Sequence, residues 1–346
     1  MGDKLQRDKK IAVVGTGANG AAIAADLANA PRDVTLIDQW PENVVAMREY
    51  GIRVNLRGQE YTARAPVYHQ CEVATLREKF DIVLIVVKAY DTRWATRLIE
   101  PLLADDGLVI GVQNGLTTED IAEIVGPERT LGCVIENGGA MYNPGLVIRD
   151  TLHENAWFAL GSFLPEYAHR VAEGVDVLKH SGRVEVFEDV NAAKWMKLIV
   201  NAAEVAPTAV LNLSLKEAIE TPGMREFMIR VGVEAIAVVR EAGIEIVPIF
   251  GLPDLNPEKP HDFIGKLLDE VIYTNAQPFS RVAALQDWMK DRRSEINEMN
   301  GPIVAKGEEL GHPTPYNRRA LDVARRIERR ELKPDVSLRE LLLEGL

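Results

Sequence analysis

Apolar positions along this chain follow two rhythms, and the change between them divides it. In the first half, short continuous apolar runs alternate with helix-like stretches. Residues 10–14, 33–38, 81–87 and 107–112 are such runs, and 132–135, 146–148 and 156–160 read as later strands. A continuous apolar run is the pattern of a parallel strand buried on both faces. Strands that alternate with helical patterns imply a parallel sheet covered by helices. Past residue 190 the strand signal stops. Residues 192–203, 215–242, 263–272, 280–311 and 317–330 carry helical periodicity, with a break predicted at Pro222-Gly223. The stretch 247–259 is Pro-rich and reads as a loop. The predicted fold class is therefore an α/β N-terminal domain over residues 8–188, followed by an all-α domain over 189–346.

Bulk numbers narrow the function. With 346 residues the chain has room for two domains. Its 40 Lys and Arg against 52 Asp and Glu leave a formal charge of −12. That balance excludes nucleic acid and anionic membrane as expected partners, since both select basic surface. Cys71 and Cys133 match no metal or redox spacing, and the six histidines form no H-x-x-x-H pair, so no metal is expected. Residues 1–8 have no apolar signal core, and no stretch approaches the length of a membrane span. A cytoplasmic protein with a small-molecule substrate is expected. The apolar C-terminal helices leave a homodimer open, although such faces usually form core.

Chemistry concentrates first at the end of the first strand. Gly15-Thr16-Gly17-Ala18-Asn19-Gly20 is a G-x-G-x-x-G turn between a strand and the small-residue helix over residues 21–28. In a dinucleotide-binding turn the first glycine allows the tight bend. The second lets backbone approach a pyrophosphate, and the third packs helix on strand. Free N–H groups at the helix start then face the anion. The next strand ends in Asp38, 23 residues after Gly15, near the spacing at which an acid meets a ribose hydroxyl. The alternative role for Asp38 is to cap a helix that Pro41 could begin.

Two further candidates sit at strand ends, where doubly wound sheets hold their ligands. Lys88 follows the strand over 81–87, and Asn114 follows that over 107–112. Lys88 offers a cation to a phosphate or carboxylate, and Asn114 both donates and accepts. A solvated lysine and a turn-forming Asn-Gly are the plain alternatives. On the helix over 192–203, Lys197 and Asn201 are one turn apart and share a face. A lysine amid apolar residues can exchange protons near neutral pH. Lys194 beside it reads as solvated. Glu295 lies in a dense charge run that by composition alone reads as a solvated helix face.

Taken together these pieces resemble the ketopantoate reductase (2-dehydropantoate 2-reductase) family. The resembling residues are Gly15 to Gly20, Val87-Lys88-Ala89, Gln113-Asn114-Gly115, and the run from Trp195 to Asn201. Asp287, Glu295, Asn300-Gly301, Gly311, Thr314-Pro315 and Asn317 complete the set. They span nearly the whole chain in the family's order. The resemblance implies a Rossmann domain followed by a helical domain, the 6-phosphogluconate dehydrogenase-like architecture, with the active site in the cleft between them. It implies a nicotinamide cofactor on Gly15, Thr16, Gly17, Ala18, Asn19 and Gly20, with Lys88 and Asn114 beside it, and the spacing adds Asp38 at the ribose. It further implies Lys197 as general acid/base, Asn114 and Asn201 holding lysine and substrate, and Glu295 binding the substrate's polar groups.

Three departures from the family pattern redirect the expectation. Ala283 stands where a serine is common. Glu204-Val205-Ala206-Pro207 stands where an asparagine usually precedes a proline. Loss of polar contacts usually accompanies a change of substrate. Asp38, followed by Gln39 and Trp40 with no Arg or Lys before Arg48, favours NAD(H) over NADP(H), because a carboxylate repels a 2′-phosphate. The expected activity is hydride transfer between NAD(H) and a 2-keto/2-hydroxy acid or related alcohol, with a substrate divergent from ketopantoate. An NAD-dependent 3-hydroxy acid dehydrogenase and a non-catalytic dinucleotide sensor are the alternatives.

Overall fold

A computed structural model describes residues 9–252 and 256–345. The N-terminal octapeptide and residues 253–255 of the Pro-rich stretch lie outside the described residues. The chain forms two units. One comprises residues up to Gln113 together with Thr117–Val190, and the other comprises Asn114–Leu116 with residues from Asn191 onward.

The first unit is built on an eight-stranded sheet. Its early strands are β1 (Lys10–Val14), β2 (Asp33–Asp38), β5 (Val67–His69), β6 (Phe80–Ile85), β7 (Leu103–Val112) and β8 (Thr130–Glu136). Two later strands, β11 (Trp157–Ser162) and β12 (Arg183–Val186), extend one edge. The order is β12-β11-β8-β7-β6-β1-β2-β5. Pairing is parallel except between β8 and β11, where the expectation of a parallel sheet fails. The reason lies in the connection. After β8 the chain makes the hairpin β9 (Gly139–Asn143) and β10 (Leu146–Arg149) instead of a crossover helix, so it re-enters the sheet in the opposite direction.

That hairpin joins a second, four-stranded sheet with β3 (Ile52–Leu56) and β4 (Gln59–Ala63), in the order β4-β3-β10-β9. The sequence reading did not anticipate β3, β4, β9 or this sheet. Between the two sheets lies α1 (Ala18–Asn29). Its residues Gly20 through Leu27 are all buried, in one core with Val13 and Leu36 of the large sheet and Val54 and Val147 of the small one. A helix that is apolar on all sides must be covered on all sides. Its alanines keep both sheets close, and Ile23 and Leu27 each contribute about 2 kcal/mol by burial.

The enclosure leaves one polar problem, Asp26, which is 7% exposed. Arg149, 1% exposed, donates to Asp26 Oδ2 at 2.8 Å and to the Ser181 carbonyl at 2.7 Å. The Tyr61 hydroxyl donates to Asp26 Oδ1 at 3.1 Å, and the ring of His153 lies 2.8 Å from the same oxygen. Burial, and then the Asp26 charge, push the Tyr61 phenol up to about 12 from its ordinary 10.0. Because the folded value is raised, the stability held by this hydroxyl is intact below pH 10 and is lost as pH climbs toward 12. The advantage of the wild type over Tyr61→Phe in urea midpoint should therefore shrink from pH 10 upward. A gap that stays constant to pH 11.5 would contradict this.

The second unit is built of helices and holds no strand among its described residues. Its helices are α6 (Val190–Val210), α7 (Leu215–Glu220), α8 (Met224–Glu241), α9 (Pro260–Asp269), α10 (Ala283–Met289), α11 (Ile296–Leu310), α12 (Pro315–Glu328) and α13 (Arg339–Leu343). The expected break at Pro222-Gly223 separates α7 from α8, where Gly223 has φ +83°. The helix expected over 280–311 is two helices. The Asp287 carbonyl accepts the N–H groups of both Lys290 and Arg292, and Asp291 takes a left-handed φ of +53°. The long helix α6 is buried on every side from Ala192 to Leu211 and continues past the interior Pro207. No helix among the described residues is long and apolar enough to cross a membrane.

Candidate active site

In the first unit, β1 lies between β2 and β6. The chain departs from β1 toward opposite sides, which makes the β1–β6 boundary the topological switch point where such sheets bind ligands. Two segments emerge there. The glycine turn leaves β1, and Val86–Ala89 leaves β6. They touch closely: Gly15 has φ +90°, and a Cβ on it would stand 2.7 Å from the Val87 nitrogen. A Cβ on Gly20 would stand 2.0 Å from the Gly15 carbonyl oxygen, so the helix start is locked against the turn. Gly17, by contrast, faces open space, with no atom within 4 Å of its would-be Cβ.

Gly17 is also the N-cap of α1. No side chain caps this helix, and its first turn carries no acidic residue. The uncapped N-terminus and the open approach at Gly17 fit a pyrophosphate. Lys88 is half-buried and begins a short 3₁₀ turn, Ala89–Asp91. Its strand end is fastened by buried Gln113, whose Nε2 donates to the Val87 carbonyl at 2.7 Å and to Thr92 Oγ1 at 2.9 Å. At the helix start, Asn19 Oδ1 accepts from Asn137 Nδ2 at 3.1 Å, and Asn137 in turn accepts from Arg149.

Asp38 ends β2 with a buried carboxylate, 6% exposed. Oδ2 accepts from the Thr16 backbone N–H at 2.8 Å, from the Thr16 hydroxyl and from Asn43 Nδ2 at 3.3 Å. Oδ1 accepts from the Trp40 N–H at 2.7 Å, immediately before α2 (Pro41–Tyr50). The carboxylate thus braces the glycine turn and also the entry to the next helix. Asn43, fully buried, extends the brace to the Thr16 carbonyl and accepts the Gly145 N–H. The first basic residue after Asp38, Arg48, is held by the Val67 carbonyl and Glu72.

In the second unit the site candidates lie along α6. Lys194, Lys197, Asn201, Glu204 and Thr208 are spaced alternately three and four apart, so they line one face. All five are buried: Lys194 is 2% exposed, Lys197 5%, Asn201 2%, Glu204 5% and Thr208 0%. Charges in such a setting are costly unless other groups compensate them. The sequence reading of Lys194 as solvated is therefore wrong. Its ammonium donates to the Gly115 carbonyl at 3.3 Å. The bond ties the Asn114–Leu116 turn to α6, in the same unit. Asn114 and the helix of Lys197 and Asn201 are brought together in this way. The ammonium of Lys197 stands 5.2 Å over the ring of Phe250. Asn114 Oδ1 and Asn201 Nδ2 are buried polar atoms with no hydrogen-bond partner among the described residues.

Glu295, 8% exposed, is the N-cap residue of α11 without a side-chain capping bond. One turn on, burial pushes the Glu298 carboxyl up, against the pull of Arg293. Asn300 and Asn317 are braces. Asn300 Nδ2 donates to the Ala202 carbonyl of α6 and to Asn317 Oδ1, both at 3.1 Å. Asn317 Nδ2 donates to the Val231 carbonyl at 2.9 Å and to Glu234 Oε2 at 3.0 Å. Glu234 also accepts the Tyr316 and Asn317 N–H groups at the start of α12. Asn43, Asn137 and Lys194 had no local signal that singled them out. Their bonds to the Thr16 carbonyl, Asn19 and the Gly115 carbonyl span 27 residues or more of sequence.

Comparison with known proteins places this geometry. The ketopantoate reductase PanE/ApbA profile matches residues 11–163, and the profile of that family's C-terminal region matches 189–328. The 2-dehydropantoate 2-reductase of Lactococcus lactis is 24% identical over 311 residues, 89% of this chain and 94% of the relative. That of Archaeoglobus fulgidus is 26% identical over 328 residues, 93% and 99%. Among solved structures, a PanE/ApbA family ketopantoate reductase from Ralstonia eutropha has a TM-score of 0.77 at 26% identity, covering 93% of this chain and 99% of that one. A ternary complex of D-mandelate dehydrogenase with NADH and anilino(oxo)acetate shares the fold, with a TM-score of 0.81 at 23% identity and the same coverage. The chain belongs to the ketopantoate reductase PanE/ApbA family of nicotinamide-dependent oxidoreductases acting on CH–OH groups.

Proposed function

We propose that the chain interconverts a 2-keto acid and its 2-hydroxy acid, with NAD(H) preferred over NADP(H) and Lys197 as the general acid/base. The carrying observation is Lys197 itself, an ammonium 5% exposed on a helix buried on every side, one turn from the unsatisfied amide of Asn201. A bound nicotinamide supplies hydride to the carbonyl carbon. The role of Lys197 is to donate a proton from Nζ to the carbonyl oxygen during reduction and to accept it back during oxidation. Asn201 and Asn114 offer a donor and an acceptor to hold the lysine and the substrate oxygen. Glu295 and Lys88 bind the substrate's polar and anionic groups. Ala283, together with Val205 or Ala206 ahead of Pro207, is apolar where the family pattern is polar and supports a substrate other than ketopantoate.

The cofactor preference rests on Asp38. Its buried carboxylate meets a ribose hydroxyl favourably and a 2′-phosphate unfavourably, and Arg48 is committed elsewhere. Fluorescence titration of the wild type should give NADH a dissociation constant about 10-fold below that of NADPH, a margin of about 1.4 kcal/mol. Asp38→Asn should narrow that margin. Asparagine keeps an acceptor for the Thr16 N–H, whereas alanine would release the glycine turn and confuse the readout. Equal or tighter binding of NADPH by the wild type overturns the preference.

A further inference from the structure

The loop between α8 and α9 holds a residue that local geometry alone does not explain. Phe250 has φ +61° and the following Gly251 has φ +71°, with the Leu252 N–H bonded to the Ile249 carbonyl at 3.2 Å. Two consecutive positive φ values within such a bond form a tight turn that favours Asn-Gly or Gly-Gly. A bulky side chain in the left-handed region is strained, and strain of this kind persists where the surroundings over-determine it. Gly251 suits its position, whereas Phe250 does not. The ring is nevertheless only 9% exposed and sits with its face toward Lys197 Nζ, at 5.2 Å from the centroid. That is within the range at which an aromatic face attracts an ammonium, and the attraction is strongest away from water.

We propose that Phe250 is a positioning residue for the Lys197 ammonium, and that the strained turn is kept because it delivers the ring there. The inference rests on Lys197 being the general acid/base. The aromatic face attracts Nζ without itself accepting one of its N–H donors. A carboxylate in the same place would hold the lysine by taking one of those donors.

Three substitutions separate ring from turn. Phe250→Tyr keeps the aromatic face. Phe250→Leu keeps the strain and much of the apolar volume but loses the face. Phe250→Asn relaxes the turn and loses the ring. Two readouts apply. In protein labelled with 13C-lysine, the Lys197 Cε–Hε signal, assigned by its absence in Lys197→Ala, should be shifted upfield by the ring in the wild type and in Phe250→Tyr. In the Leu and Asn variants it should return to the ordinary lysine position. In turnover of 3-methyl-2-oxobutanoate and phenylglyoxylate with NADH, the Leu and Asn variants should lose about 10-fold in kcat, the scale of one desolvated cation–π contact, while NADH affinity holds. The Tyr variant should stay within about 3-fold of wild type.

An unshifted Lys197 signal in the wild type overturns the proposal whatever the activity. So does a kcat within 2-fold of wild type in both Leu and Asn variants when Lys197→Ala is inactive, and in that case the general-acid reading survives. If Lys197→Ala itself keeps turnover, the general-acid reading falls first.

Discussion

Lys197→Ala should lower kcat for carbonyl reduction by about 10³-fold while leaving NADH binding within a factor of about two. Such a loss corresponds to about 4 kcal/mol of transition-state stabilisation. The split follows from placement. Lys197 lies on α6 in the helical unit, whereas the glycine turn and Asp38 lie in the sheet unit. A drop in kcat with an unchanged or higher melting temperature would separate a chemical role from a structural one. Lys197→Arg adds a test of proton transfer. Guanidinium keeps the charge but does not deprotonate near neutrality, so reduction and oxidation should slow together. Turnover that survives in Lys197→Ala would remove the lysine from the mechanism.

Arg149→Met should be the most damaging substitution for stability in the sheet unit, at about 3–5 kcal/mol. Arg149 is 1% exposed and serves Asp26, the Ser181 carbonyl and Asn137 at once. Methionine fills most of the volume and strands the Asp26 carboxylate on a helix enclosed by two sheets. The ring of His153, at 40% side-chain exposure, is left beside Asp26 Oδ1. The defect is measured as the urea midpoint of the variant against wild type. Adding Asp26→Leu to Arg149→Met should recover much of the loss, because a buried pair replaced as a whole by apolar groups costs far less than half a pair. If the double variant is no more stable than the single one, the network does not act as an isolated pair. Because Arg149 also holds Asn137 against Asn19, the single variant should bind NADH more weakly as well.

The contrast between these two residues shows how far the chain could be read directly. Lys197 was legible because a lysine and an asparagine one turn apart interrupt a run of apolar helical residues, and that periodicity is local. The glycine turn, the strand ending in Asp38 and the strand ends bearing Lys88 and Asn114 were legible for the same reason. Each is a largely apolar run that stops at a glycine, a charge or a side-chain amide. The hairpin β3–β4 had a usable signal, the alternation Ile52, Val54, Leu56 before the turn Arg57-Gly58, whose φ values are +50° and +91°. An alternating strand facing water on one side is easily passed over beside runs that are apolar throughout.

Arg149 could not be recognised that way. It follows the apolar run over 146–148 and looks like the polar end of a surface strand, and its partner Asp26 is 123 residues away. Lys194 misled in the same manner, since nothing adjacent in the chain reveals that Gly115 will come to its ammonium. The sequence alone determined the alternation of strand and helix, the glycine turn after β1 and the stripe of polar residues on α6. These depend on backbone conformation and on spacings of two, three and four residues, which neighbours impose on one another. Only the tertiary structure decided which polar groups are buried and what compensates them: Asp38 against Thr16, Asp26 against Arg149, Lys194 against Gly115, Lys197 against Phe250. Burial depends on distant segments arriving from opposite sides, and the cost of an uncompensated charge exists only once they have arrived.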